Sequence, residues 1–159
     1  MIIHSEQEML SLGQQFAESS LRRVTTAEGA PRRACEVGEE SSRQDPSAAS
    51  VIELIGDVGT GKTTFTRGLA KGLGVKEPVT SPSFTISKQY ALPSGGRLIH
   101  YDFYRLQDPG LMAEDLSENL QNPNNVIVIE WGESISDLLP KNHHIIRFEY
   151  ADDGRKVIL

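Results

Sequence analysis

Residues Val51-Ile52-Glu53-Leu54-Ile55 run straight into Gly56-Asp57-Val58-Gly59-Thr60-Gly61-Lys62-Thr63, an apolar strand feeding a glycine-rich loop. Every fixed position of the Walker A pattern G-x-x-x-x-G-K-[ST] is filled, in the strand–loop–helix setting that the pattern requires. The glycines let successive backbone N–H groups turn inward on phosphate oxygens, where a side chain would block the approach. The loop then delivers the phosphate to a helix N-terminus, whose unpaired amides and dipole favour an anion. Lys62 is expected to reach the β- and γ-phosphates, and the Thr63 hydroxyl to fill one Mg²⁺ coordination site. The plainer reading, a glycine-rich turn that binds nothing, needs a chance match whose frequency is on the order of 1% at average glycine usage. The sequence therefore reads as a binder of a nucleoside triphosphate, with Gly56, Asp57, Val58, Gly59, Thr60, Gly61, Lys62, Thr63 and Thr64 as the binding set.

The bulk composition bounds what surrounds this loop. A chain of 159 residues is long enough for one domain with a real core. Its 38% hydrophobic and 24% charged content is that of a soluble globular protein, with the apolar share on the low side. Sixteen basic against 22 acidic residues give a net charge of −6, which argues against a stand-alone nucleic-acid binder. A role beside a nucleic acid held by another protein stays open. The one cysteine, Cys35, can form no internal disulfide and has no cysteine neighbour for a metal site. The N-terminus lacks a basic segment followed by an apolar core, and no apolar run is long enough to span a membrane, so a cytoplasmic protein is expected.

Outward from the loop, Ser5 and Glu8 form a capping-box pattern and Met9, Leu12 and Phe16 recur at helical spacing, predicting an amphipathic helix over 5–20. Between 21 and 50 large apolar residues are almost absent, while five Arg and five acidic residues alternate with Ser, Ala, Gly and Pro. Such a stretch cannot bury enough surface to offset its ordering entropy, so 25–50 is expected to be a flexible insert, with the nucleotide-binding core over 51–159. Its arginine pairs read as a solvated loop. After the phosphate loop, Phe65, Leu69 and Leu73 share a helix face that ends at Gly74. Ser83–Tyr90 and Arg97–Tyr104 read as a β-hairpin. Asp108 is expected to cap a further helix with Pro109 at its first position and Leu111, Met112, Leu116 and Leu120 on its buried face. Val126 to Glu130 is a continuous apolar strand of the kind buried on both faces of a parallel sheet, and strands at 144–150 and 155–159 close the chain. The predicted fold is α/β: a single P-loop NTPase domain over 1–159, helices packed on a mixed, mainly parallel central sheet with a β-hairpin insertion.

A Walker A loop also needs acids at neighbouring strand ends to hold Mg²⁺ and order its waters. Asp102 and Glu130 both follow apolar strand runs, and Glu130 belongs at the carboxyl end where ligands of open α/β sheets sit. One carboxylate near the metal and one polarising water would divide the labour, and spacing does not say which does which. Arg67 and Arg105 are possible γ-phosphate neutralisers, with simple ion pairing as the plainer reading. Trp131 is expected to stack on a base or partner, or to pad a strand end. His143-His144 resembles a metal pair, but adjacent strand residues face opposite ways. No Asn-Lys-x-Asp element is present, which favours adenine over guanine.

Beyond the generic loop, Gly56 to Gly68 closely resembles the phosphate loop of the bacterial TsaE family, also called YjeE. Three further blocks agree in order and spacing. Thr80-Ser81-Pro82-Ser83-Phe84-Thr85 is similar to the family's switch segment, His100-Tyr101-Asp102-Phe103-Tyr104-Arg105-Leu106 to its aspartate block, and Ile129-Glu130-Trp131 to its I-E-W block. The resemblance, over about residues 51–135, implies ATP and Mg²⁺ as cofactors. Lys62 and Thr63 would bind phosphate and metal, Asp102 would be the Walker B-like acid, and Glu130 a second acid needed for hydrolysis. Catalysis would rest on Lys62, Asp102 and Glu130, and the metal on Thr63, Asp102 and Glu130. Trp131 would neighbour the site, and Ser81 and Ser83 would belong to a nucleotide-responsive switch loop. It also implies slow ATP hydrolysis in a complex with TsaB and TsaD, which threonylcarbamoylates adenosine 37 of tRNAs reading ANN codons, the tRNA contact being made through TsaD. Ser83 stands where the family usually has Thr, and the 25–50 insert replaces a short link. The alternatives are a small-molecule kinase, for which no arginine cluster is seen, and a nucleotide switch that does not hydrolyse, against which Asp102 and Glu130 both weigh.

Overall fold

The computed structural model describes residues 1–21, 47–106 and 108–159. The expected flexible insert lies outside the described residues from 25 to 46. Of its last residues, Ala49 and Ser50 are buried, and Ser50 opens the first core strand.

Chain order is β1 (Ile2–Ile3), α1 (Glu6–Ser20), β2 (Ser50–Ile55), α2 (Lys62–Gly72), β3 (Ser87–Ala91), β4 (Arg97–Asp102), α3 (Gly110–Leu120), β5 (Val126–Glu130), a 3₁₀ turn (Gly132–Leu138), β6 (His144–Ala151) and β7 (Gly154–Ile158). The seven strands form one sheet in the order β1-β7-β6-β2-β5-β4-β3. Its centre, β6-β2-β5-β4, is parallel, and β7 with β1 at one edge and β3 at the other pair antiparallel. The mixed sheet and the β3–β4 hairpin are as the sequence pattern predicts.

Alternation along the central strands sorts the core into two layers. Ile52, Leu54, Leu98, Val126 and Val128 face α1 and α2, where Phe65, Leu69, Leu12 and Phe16 meet them. Val51, Ile99, Tyr101, Ile127 and Ile129 face α3 and the 3₁₀ turn, meeting Leu116 and Ile135. Edge-to-face rings run from Phe148 on the sheet through Phe65 to Phe16, linking both helices to the sheet.

The first layer is drawn tight by two glycines. A side-chain carbon at Gly13 would lie 2.2 Å from the Phe65 carbonyl oxygen, and one at Gly68 would lie 2.1 Å from that of Leu10. Only hydrogen fits at either position, so α1 lies backbone to backbone along the helix that carries the phosphate loop. Ser5 caps α1 through the Glu8 N–H, while the Glu8 carboxylate accepts from the His4 N–H, one residue before the cap. At the far end of α2, Val75 N–H bonds Ala70 O and Gly74 N–H bonds Lys71 O with Gly74 at φ +81°, the helix stop that the glycine predicts.

Four local expectations need correction. The first hairpin strand starts at Ser87 rather than Ser83: Pro82 O takes the N–H groups of both Thr85 and Ile86, and Ile86 sits at φ +66°, so 83–86 turn instead of extending. Its partner ends at Asp102, not Tyr104. In α3 Pro109 is the cap and the helix begins at Gly110, whose N–H the Asp108 carboxylate still accepts. Leu116 is fully buried there, whereas Leu111 is exposed. No helix among the described residues is long and apolar enough to cross a membrane.

Candidate functional site

β2 delivers the glycine-rich loop 56–61 to the first turn of α2, between the carboxyl ends of β5 and β4 on one side and the β6–β7 hairpin on the other. Gly61 takes φ +106°, which L side chains rarely adopt, and so turns the chain directly into the helix at Lys62. The loop is braced from both sides. Thr60 Oγ1 donates to Asp57 O at 2.7 Å, and from the hairpin Tyr150 Oη donates to Val58 O at 2.6 Å.

Lys62 is buried, and its Nζ donates to Gly56 O at 2.7 Å and Asp57 O at 3.0 Å. It also stands 3.7 Å from Glu130 Oε2 and 5.0 Å from the centre of the Trp131 ring. A primary ammonium surrounded by oxygens, a carboxylate and a π-face remains in reach of an anion placed at the helix N-terminus.

Strand parity brings the two acids together. Asp102 pairs with Glu130 in the β4–β5 register, and both lie on the sheet face that meets α2, where the apolar positions Leu98, Val126 and Val128 precede them. Each is about 5% exposed, so neither is a solvated strand-end carboxylate. Asp102 Oδ2 accepts from Ser83 Oγ and its Oδ1 from the Tyr104 N–H at 3.1 Å. Ser83 and Ser81 share a hydroxyl–hydroxyl bond of 2.7 Å, which ties the segment expected as a switch to β4. Glu130 Oε1 accepts from His100 Nε2 at 3.0 Å and lies 3.5 Å from Thr63 Oγ1.

Past Glu130 the chain turns sharply, with Trp131 left-handed at φ +59°, ψ +50°. That conformation is uncommon for a bulky residue, and it folds the indole back over Lys62 and against Tyr104, ring centres 4.9 Å apart. A cavity of about 280 Å³ results. The loop contributes Val58, Gly59 and Gly61, α2 contributes Lys62, Thr63 and Thr64, and the strand ends and their flanks contribute Ser81, Ser83, Asp102, Tyr104, Glu130 and Trp131. A second cavity of about 230 Å³ shares Gly61 and Thr64 and runs under Ile3, Met9 and Arg155.

Two sequence candidates fall outside. Arg67 donates to Val79 O at 3.2 Å and pairs with Glu6 at 3.6 Å on the outer face of α2. Arg105 is exposed, its guanidinium 4.8 Å above the Phe84 ring. The adjacent histidines part as alternation requires: His143 meets Glu53 at 3.0 Å, and His144 packs edge-on against Phe16. His100 is a contact that sequence reasoning missed. The signal was available, because a polar residue two positions before Asp102 falls on the same sheet face.

Among the described residues no cluster of three or more His, Cys, Asp or Glu side chains forms a closed metal cage. The oxygen donors at this cavity, the Thr63 hydroxyl and the two carboxylates, suit Mg²⁺, which takes one or two protein ligands and completes its shell with phosphate and water.

The family profile described as threonylcarbamoyl adenosine biosynthesis protein TsaE matches residues 3–157. The Haemophilus influenzae protein named tRNA threonylcarbamoyladenosine biosynthesis protein TsaE is 31% identical over 99% of this chain and 85% of its own length. Proteins of the same name from Streptomyces coelicolor and Bacillus subtilis are 41% and 40% identical, over 65% and 68% of this chain and 71% and 66% of theirs. The crystal structure of Bacillus subtilis YdiB superposes with a TM-score of 0.62 at 26% identity, covering 99% of this chain and 80% of that one. With a family profile matching residues 3–157 and a relative 31% identical over 99% of it, the chain belongs to the TsaE family.

Proposed function

We propose that this protein is an ATP-binding, slowly hydrolysing accessory factor for threonylcarbamoyl transfer to adenosine 37 of tRNAs reading ANN codons, acting with TsaB and TsaD homologues. The observation that carries the reading is the convergence of Lys62, Thr63, Asp102 and Glu130 on one cavity at the N-terminus of α2. The names of its relatives place those proteins in tRNA threonylcarbamoyladenosine biosynthesis.

The triphosphate lies along the loop 56–61 with its terminal groups at Lys62 and Thr63. Thr64 lines both cavities, so the α-phosphate end and the adenosine extend toward the apolar slot beneath Met9 and Ile3. Thr63, Asp102 and Glu130 would hold Mg²⁺, which would supply charge neutralisation of the phosphates. Lys62 and the helix N-terminus stabilise the negative charge on the transferred group. Glu130 orients the attacking water, and the products are ADP and phosphate. Asp102, fixed by Ser83 and the Tyr104 N–H, connects the phosphate end of the site to the loop 80–86. That loop is the route by which nucleotide state reaches a partner. With Arg67 and Arg105 committed elsewhere, no arginine comes from the protein's own candidates to speed the reaction, which supports slow turnover until partners complete the site. The net charge of −6 suits a factor whose tRNA is held by TsaD.

The test is reconstitution with TsaB and TsaD homologues, tRNA, threonine, bicarbonate, ATP and the enzyme that makes threonylcarbamoyl-adenylate. Modified adenosine is followed over many turnovers with the wild-type protein, without it, and with Lys62→Ala. Sustained turnover only with the wild-type protein is the expected result. Equal product in all three would refute the function.

A further inference from the structure

The geometry points to His100 as the positioning residue of Glu130, a part of the hydrolytic site that acts by holding one carboxylate oxygen so that the other is presented to the reaction. This assignment rests on the hydrolytic role proposed above for Glu130.

His100 is the middle of three β4 residues facing α2, between Leu98 and Asp102, and its exposure is zero. Across the sheet it stands between Val128 on β5 and Lys88 on β3, and the Lys88 ammonium is turned away to Thr80 Oγ1. An imidazole in such a place is expensive unless both nitrogens are partnered, because a buried polar atom without a hydrogen bond forfeits its hydration. Here Nδ1 has no partner among the described residues. For stability alone, an aliphatic side chain would serve better at this position. What the imidazole does make is one bond, Nε2 to Glu130 Oε1 at 3.0 Å.

That bond is the best formed of those around Glu130. Thr63 Oγ1 stands 3.5 Å from the same oxygen, and Lys62 Nζ is 3.7 Å from Oε2, both beyond the ordinary hydrogen-bond range. A carboxylate only accepts, so Nε2 carries the proton and the tautomer of His100 is fixed by its partner. Oε1 is thereby held against β4. Oε2 is left facing Lys62 and the cavity, the direction from which phosphate, metal and water arrive. Without His100 the carboxylate could rotate about its last bond and turn either oxygen toward Lys62. A group that must act at a fixed distance loses rate when its orientation is no longer held.

The experiment measures ATP hydrolysis by the full chain with its partner proteins, giving kcat and KM. Nucleotide affinity is read from Trp131 fluorescence, and Tm is measured alongside. The variants are His100→Leu, His100→Gln, His100→Asn and Glu130→Gln. Glutamine can place an N–H near the position of Nε2, whereas asparagine places one near Nδ1. His100→Leu and His100→Asn are expected to lower kcat roughly 10- to 100-fold, the usual effect of removing a group that orients a ligand, with KM and affinity nearly unchanged. His100→Gln is expected to recover most of the loss. If His100→Leu does not fold, the Gln and Asn pair decides by the same contrast. The assignment is overturned if kcat is unchanged in His100→Leu, or if Gln and Asn lose kcat equally in step with Tm. Should Glu130→Gln itself hydrolyse like the wild type, the hydrolytic reading of Glu130 fails and this assignment falls with it. Loss in Glu130→Gln with full activity in His100→Leu overturns the positioning role alone.

Discussion

Ser83 donates its hydroxyl to Asp102 Oδ2, so a loop residue and a strand-end acid are joined by a charge-assisted bond. The loop 80–86 thus has a fixed point within the cavity. Ser83→Ala removes that donor and leaves a buried carboxylate with one bond fewer. Hydrolysis with partners is expected to drop by about tenfold, the rate equivalent of a lost bond to a charged group. Ser83→Thr keeps the hydroxyl and is expected to stay within a small factor of the wild type. Equal rates for the alanine variant would sever the loop from the chemistry.

Trp131 is the chain's one tryptophan and lies against both Lys62 and Tyr104. A nucleotide that draws the ammonium onto its phosphates changes the charge beside the indole. Titration with ATP and Mg²⁺ is therefore expected to shift Trp131 emission saturably, and Lys62→Ala to lose most of the shift. An emission spectrum indifferent to nucleotide would show that the ligand binds elsewhere.

The Gly13 and Gly68 contact allows no side chain. Gly68→Ala must push α1 away from α2 by moving backbone, a strain expected to cost about 1–3 kcal/mol. Urea unfolding would register it as a lower midpoint with unchanged slope. An unshifted midpoint would mean that α1 is not bound along α2 in solution.

Burial against Phe16, with the neighbouring His143 adding to it, holds His144 below its ordinary value of 6.5. The unfolded chain then binds the proton more readily than the folded one. Stability is fully present above about pH 6.5 and declines as the pH falls toward the lowered folded value. His144→Phe is expected to flatten this part of the acid dependence. Tm measured for both proteins from about pH 7.5 to 5 tests it, since parallel curves would exclude His144 as the source.

Much of this was legible in the sequence, because the signals were local. A loop motif between a strand and a helix needs no tertiary knowledge, and apolar runs ending in acids mark the carboxyl edge of a parallel sheet. What escaped was set by backbone hydrogen bonding and helix phase rather than by residue type. Thr85 and Ile86 are β-branched, yet both amides go to Pro82 O and the strand starts late. Leu111 lies about 100° round the helix from Met112, off the stripe carried by Met112, Leu116 and Leu120. Arg67 follows the phosphate loop in sequence but sits five residues past Lys62, about 140° round α2, on the face that meets Val79 and Glu6. His100 could have been found by counting alternate positions back from Asp102.

Both faces of the central strands are apolar and buried, so hydrophobicity alone does not say which face should meet α2. The site depends on that choice. Moving β4 by one residue would exchange Asp102 for Tyr101 or Phe103 beside Glu130 and turn His100 and Asp102 into the opposite layer. The chemistry of this protein is in that sense an odd-or-even property of its sheet. One residue inserted between Leu98 and Asp102 would put the acid and Leu98 on opposite faces of β4 and part Asp102 from Glu130.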